Sequence, residues 1–381
     1  MADCQLPAAG YRMNEDKSVR YHRLKRRASV TSLLVSAAIP VSLLATGGSD
    51  ILRDLAGSLS GRDSSALLTV WVYATAFVLL HEAATFPLAF YSSFRLERRY
   101  GLSSESFRTW LRDHVKALVI TGSLAVLAVQ VVYGTLRLWP GWWWLASAAA
   151  FMAATGLLAK LFPIVLMPLF YRLTPLDRPP LRERLEALSA KAGVPVLGVF
   201  EWGLGEKTRR ANAALVGTGG TRRILLSDTL LAAYADDEIE VILAHEMAHH
   251  VHRDILKGLA VESALLVAAF GAAALALERW WAVIGLQSRA DVAGLPLLLL
   301  AGGAVMLLST PLLNAFSRSN ERRADEYALN LTGQRAAFVS AMRRAATQNL
   351  VEPSPSRLAL WLFHSHPSIE DRIESARAQR D

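Results

Sequence analysis

Six apolar windows, each bare or nearly bare of charge, run through the 381-residue chain and leave few folds open to it. Ala28 to Gly48 and Ser64 to Leu80 carry no charge, and the second continues past His81 and Glu82 toward Tyr91. Ala117 to Leu136 has only Gln130 as a strongly polar member, and Leu138 to Tyr171 is interrupted by Lys160, Pro140, Pro163 and Pro168. Leu256 to Leu277 is broken by Lys257 and Glu262, while Val292 to Ser317 is wholly uncharged. Crossing hydrocarbon takes about 20 apolar residues in a helix, so each window reads as a membrane span. The chain is 52% apolar, in keeping with a polytopic, mainly α membrane bundle of six spans, or seven, since the long fourth window can either bend at Pro163 or hold a second, shorter pass.

Positive charge sets the orientation. Arg20, Arg23, Lys25, Arg26 and Arg27 precede the first span, and Arg95, Arg98, Arg99, Arg108 and Arg112 separate the second from the third. Arg172, Arg178, Arg182 and Arg184 follow the fourth, and Arg318, Arg322 and Arg323 follow the sixth. The opposite loops hold only Arg53, Arg62, Arg137, Arg279 and Arg289. The positive-inside rule then puts both termini and the central polar region in the cytoplasm, which requires an even number of spans. The net charge of +8 is accounted for by this topology, and no nucleic-acid partner is expected. The first apolar run is too long for a secretory signal and reads as an uncleaved span. Cys4 is the only cysteine, which excludes internal disulfides and a thiolate-rich metal site.

Between the fourth and fifth spans lies DDEIEVILAHEMAHH, in which His245, Glu246 and His249 form H-E-x-x-H. Asp237, with Glu240 three positions on, reads as the capping box that starts this helix. Histidines four apart stack on one helix face and can grip one Zn2+ per chain, with Glu246 beside the open position as general base. His252 cannot serve as third ligand, because one straight helix does not wrap three side chains around an ion. A carboxylate from a second helix is the other solution, and Ser317-Arg318-Ser319-Asn320-Glu321-Arg322-Arg323-Ala324-Asp325 supplies it directly after the last span. Glu321 reads as the ligand, and Asp325 as an acceptor orienting a ligating imidazole. His250 and His252 read as facing solvent or a rim, and Asp254 as pairing with one of these histidines.

With these motifs in place the chain resembles the type I CAAX prenyl protease family of integral-membrane zinc peptidases. Phe86-Pro87 with ERRYGLSSESF, TPLDRPPLRERLEALSAKAGVPV, ANAALVGTGGTRRILLSDTLL and HSHPSIEDRI resemble successive segments of that family. The resemblance implies a water-filled chamber between the spans, lined by some of His81, Glu82, Lys160, Glu262 and Asn314. It implies a gluzincin-like domain with a small β element, Arg222 to Leu226 beside a strand of Asn212, Ala213 and Ala214, on which an extended substrate docks by main-chain pairing. It implies that Glu246, His366 and Asn212 are catalytic, His366 steadying the oxyanion, and that Arg372 holds this region in place. The expected division is 1–172 for the basic N-terminus and spans one to four. The peptidase domain is expected over 173–381, with spans near 256–283 and 292–317 and a loop at Pro353 to Ser356.

The function expected is zinc endopeptidase action on CAAX-type, prenylated or membrane-inserted peptides, or quality control of membrane proteins, at the bacterial inner membrane or the endoplasmic reticulum or inner nuclear membrane. The chain's own end, AQRD, is no CAAX box. A non-catalytic membrane scaffold would have lost a ligand or the base. A transporter would use the intramembrane charges and leave the ordered motifs without a purpose.

Overall fold

A computed structural model describes residues 8–61, 65–217 and 219–378. Cys4, Arg62 and the terminal Gln379, Arg380 and Asp381 lie outside the described residues. Among the described residues, six helices are long and apolar enough to cross a membrane: Lys17–Ala45, Ala66–Arg99, Phe107–Leu138, Trp143–Leu161, Asp254–Trp280 and Val292–Thr332. The long fourth window changes its helical geometry at Pro163. After Leu161 the helix widens into a π-turn over Phe162–Leu166 and ends in the short helix Met167–Phe170, too little for another pass, so the count is six.

Each span packs mainly against two others, and the pairings close on themselves. The first touches the second and the sixth, the second touches the third, the third the fourth, the fourth the fifth, and the fifth the sixth. The end remote from the motif is closed by the helix Gly48–Ser60 and by apolar packing of Tyr73, Phe77, Tyr133, Trp143, Leu277 and Leu295. There Ser49 Oγ lies 2.7 Å from both Tyr73 OH and Ala293 O, and Arg53 binds Asp291 at 2.8 Å. Polar residues within spans find partners on adjacent elements: His81 with Ser36 of the first span at 3.0 Å, Glu82 with His114 of the third at 2.7 Å, and Asn314 with the Leu362 carbonyl of the C-terminal fold-back at 3.0 Å. Such pairing relieves the cost of polarity in lipid. Lys160 and Glu262 stay exposed.

The other end of the ring carries the polar domain. Four strands, β1 (Leu173–Pro175), β2 (Val199–Trp202), β3 (Ala213–Val216) and β4 (Arg223–Ser227), form a sheet in the order β1-β2-β4-β3. β4 runs parallel to β2 and antiparallel to β3, which leaves β3 as an edge. The sequence expectation of a strand near Arg222 to Leu226 beside the Asn212 segment matches β4 and β3, but β1 and β2 were not foreseen. The motif helix Asp236–Val251 packs on this sheet through Ile239, Leu243, Ala244 and Met247, all fully buried with Leu226 and Leu185. Its start differs from expectation. Ala235 precedes the helix, and Glu238, not Glu240, reaches back to accept the Ala235 N–H at 2.9 Å. Asp237 instead lies inside the first turn, where its charge suits the helix N-terminus.

The sixth span does not stop at the membrane surface. Its helix continues unbroken from Leu295 to Thr332, so the membrane frame delivers Glu321 and Asp325 to the motif helix on a rigid rod. Beyond it, helices Arg335–Gln348, Arg357–Phe363 and Ile369–Ala378 fold back over the site, with the loop at Pro353 to Ser356 as expected.

Candidate metal centre and substrate edge

His245 and His249 project from one face of the motif helix, their rings 5.1 Å apart and nearly perpendicular. Glu321, from the sixth span's extension, comes to 3.2 Å from His245 Nε2 through Oε2 and 3.5 Å from His249 Nε2 through Oε1. Ligand bonds of 2.0–2.1 Å in a tetrahedron separate neighbouring ligand atoms by about 3.3–3.4 Å, so the spacing is that of donors around one ion. Glu321 Oε2 is buried and, although 2.8 Å from His366 Nδ1, has no hydrogen bond of acceptable angle. A buried carboxylate oxygen in that condition is costly, and a cation held by these three residues removes the cost. The donor set therefore fits a divalent metal ion.

Each imidazole is oriented from behind. Asp325 Oδ1 lies 2.8 Å from His245 Nδ1, and Asp254 Oδ2 lies 3.1 Å from His249 Nδ1. Both carboxylates accept from Nδ1–H, which turns both Nε2 lone pairs toward the ion. Asp254 thus pairs with His249 and with neither of the two histidines beyond it. Asp325 is held by Arg372, which donates from Nε at 2.8 Å and from Nη2 at 2.5 Å. Nη2 also stands 3.4 Å from His245 Nδ1, but two donors do not bond each other, so we take the shorter Asp325 contact as the one His245 makes. Burial pulls the His245 pKa down, and the adjoining carboxylates of Asp325 and Glu321 outweigh it, leaving the metal-free ring raised to about 9. Burial raises the Glu246 carboxyl above the ordinary range against the opposing pull of His245 and His249.

The remaining expected residues lie around this centre. His366 is exposed at its mouth, against Glu321. Asn212 sits one residue before β3; Ser227 N–H donates to its carbonyl at 2.9 Å, and its own N–H donates to Ser227 Oγ at 2.9 Å. Asn212 therefore spends its main chain on β4, and in an antiparallel ladder Ala214 does the same. Of the three residues expected at the docking edge, only Ala213 turns its main chain outward, and Leu215 is the second to do so. His250 was expected at solvent or a rim; its Nε2 lies 3.1 Å from the Leu215 carbonyl. His252 packs edge-on against Tyr327, ring centroids 5.6 Å apart. Beside Asn212 opens a cavity of about 530 Å³ bordered by Tyr21, Lys25, Trp202, Arg210 and Asn349. No local sequence signal gave that lining, since it draws on the N-terminal helix and the C-terminal fold-back together.

Comparison with known proteins gives two family matches that divide the chain. Residues 175–380 match peptidase family M48, and residues 12–172 match the CAAX prenyl protease N-terminal region described as five membrane helices. Four of the six span-length helices lie in that N-terminal stretch; the short helix Gly48–Ser60 is a fifth helix within it. The uncharacterized metalloprotease YhfN of Bacillus subtilis is 31% identical over 307 residues, covering 80% of this chain and 72% of that protein. A CAAX prenyl protease 1 homolog of Oryza sativa is 24% identical over 335 residues, covering 84% and 76%. The crystal structure of S. mikatae Ste24p superposes with a TM-score of 0.85 at 21% identity, over 96% of this chain and 88% of that one.

Proposed function

The chain belongs to peptidase family M48 and is a multi-pass membrane metallopeptidase acting on peptides or proteins; on that footing we propose that its metal is zinc and that its site works as follows. Two neutral imidazoles and one carboxylate around a tetrahedral position, with a place left for water, are a zinc donor set. His245, His249 and Glu321 hold the ion, which when bound polarises water and the scissile carbonyl and lowers the water's pKa toward neutrality. Glu246 takes the proton from the attacking water onto a carboxylate oxygen and passes it to the leaving amine. Its upward-shifted pKa brings it nearer to working pH, where a shuttling carboxylate is most effective. His366, exposed at the mouth, donates to the oxygen on which charge develops. Arg372 and Asp325 keep His245 in its ligating tautomer, and Asp254 does so for His249. An extended substrate pairs with the outer edge of β3, beginning beside Asn212.

The division at about residue 172 assigns the N-terminal spans to the membrane frame and the rest to the peptidase. The bias of arginines supports a cytoplasm-facing site. The substrate class we propose is a CAAX-type or membrane-associated peptide, by analogy with the rice relative's name. The observation carrying the reading is the convergence of His245, His249 and Glu321 from two helices, with the base Glu246 beside them. The test is to purify the wild type and Glu246→Gln, count zinc per chain, and offer both a farnesylated CAAX peptide and an unmodified membrane-protein fragment. One zinc in each, with cleavage by the wild type only, is expected. Absence of zinc, or equal cleavage by the variant, overturns the mechanism, and the peptide that is cut decides the substrate class.

A further inference from the structure

The free edge of β3 is shorter than the strand that carries it. Ser227 N–H donates to the Asn212 carbonyl, while Ile224 N–H donates away from β3, to the Gly198 carbonyl on the β2 side. With Ala213 opposite Leu226 and Leu215 opposite Ile224, alternation turns the main chains of Ala211, Ala213 and Leu215 outward. Two of these three are already engaged. The Asn349 amide covers Ala211, accepting its N–H at 3.1 Å through Oδ1 and donating from Nδ2 to its carbonyl at 3.3 Å, as a neighbouring strand would. Gln348 Nε2 continues the seal by donating to the Arg209 carbonyl at 3.0 Å. At the other end His250 Nε2 meets the Leu215 carbonyl at 3.1 Å; a carbonyl only accepts, so this nitrogen carries the proton. Among the described residues, the groups left unpartnered are Ala213 N–H, Ala213 C=O and Leu215 N–H.

We infer that Asn349 and His250 are specificity-determining positioning residues that blunt the docking edge at both ends and so fix the register and length of the peptide segment bound as a strand. The inference rests on the peptidase reading and adds the geometry of recognition. A peptide adding antiparallel to β3 places one residue opposite Ala213 and exchanges both hydrogen bonds with it. The residue two positions nearer the peptide's N-terminus accepts from Leu215 N–H, but its own N–H faces a carbonyl that His250 has taken. The residue two positions nearer the C-terminus faces Ala211, where Asn349 stands, and must leave the strand toward the cavity bordered by Lys25, Trp202 and Arg210. The substrate class is therefore a peptide that need be extended over only a short stretch, with the chain free to turn away on both sides. An exposed edge of unpaired groups also invites association with other chains, and the same two side chains remove that hazard.

The experiment is an N-methyl scan. Cleavage sites are first mapped in unfolded casein with the wild type and with Glu246→Gln, so a failure of the peptidase reading is seen at that stage. A short peptide spanning one mapped site is then N-methylated one residue at a time. In the wild type one position, the residue opposite Ala213, is expected to raise KM by about three- to tenfold, as loss of one hydrogen bond does, while the positions two residues to either side are neutral. In His250→Ala the position on the N-terminal side becomes sensitive by a similar factor, and in Asn349→Ala the position on the C-terminal side does. A merely structural role for these side chains would not create a new sensitive position. Three alternate sensitive positions in the wild type would show an open edge, and none at all would show that strand docking does not occur; either overturns the proposal, and neither needs a folded variant.

Discussion

Arg372 grips both carboxylate oxygens of Asp325, at 2.5 and 2.8 Å, so the last helix of the chain reaches the metal centre through one ion pair. Among the described residues, Asp325 has no donor other than Arg372 and His245; His245 and Asp325 are buried and Arg372 is half-buried. Removing Arg372 leaves Asp325 free to rotate away from His245 Nδ1. Arg372→Ala and Asp325→Asn should each weaken metal affinity by about 10- to 100-fold, the range typical for groups that orient a ligating histidine. Competition of the purified variants against a chelator of known affinity measures it, and an unchanged affinity would remove Arg372 from the metal's support.

Glu246→Gln should retain the metal and lose the chemistry. Glutamine keeps the volume and the burial but accepts no proton, so kcat should fall by about 100- to 10,000-fold with little change in substrate affinity. A peptide-binding assay run beside the rate measurement separates the two. Binding lost in step with turnover would place Glu246 in the substrate cradle instead.

Much of this architecture is legible in the amino-acid order, and what is not has a physical reason. Spans are visible because hydrocarbon demands unbroken apolar runs, and His245, Glu246 and His249 are visible because a helix fixes their spacing. Glu321 can be reached by asking which later helix carries a carboxylate to the same side. The start at Ala235 was missed because acidic residues crowd the first turn and several frames make an acceptable cap. β2 was missed because VFEW is only four residues long, too short to show a diagnostic period. The blunting of β3 is invisible in sequence, since Asn349 meets Ala211 across a separation of 138 residues and an asparagine after a helix reads as an ordinary cap.

Metal uptake should be coupled to proton release. In the metal-free protein the His245 ring is raised to about 9, burial opposing and the neighbouring carboxylates of Asp325 and Glu321 prevailing. The folded value lies above the ordinary 6.5, so this group's contribution to metal-free stability is full below pH 6.5 and is lost as pH rises through about 9. The ion needs the neutral ring, so metal affinity should run the other way, tightening from pH 6.5 to 9. Calorimetric titration of chelator-stripped protein at pH 7.5 in buffers of different ionisation heat counts the protons released. A count of zero would show that His245 is already neutral.

The two orienting carboxylates should not be equivalent. Asp325 is clamped by Arg372 alone, whereas Asp254 is shared: its Oδ1 lies 3.3 Å from Lys257 Nζ and 3.4 Å from Arg323 Nη2, both on half-exposed side chains. Exposed partners are solvated and contribute little, so the Asp254 contact to His249 at 3.1 Å is the looser of the two. Asp254 also opens the fifth span, where its charge favours the helix N-terminus. Asp254→Asn preserves the amide's acceptor oxygen and should weaken metal affinity by less than about tenfold, below the loss expected for Asp325→Asn. Asp254→Ala, which removes the acceptor and the charge, should lose more affinity than the asparagine variant and lower the unfolding temperature as well. Thermal unfolding with and without chelator tells the effects apart: a decrease that persists in chelator belongs to the span's start, and one that vanishes belongs to His249.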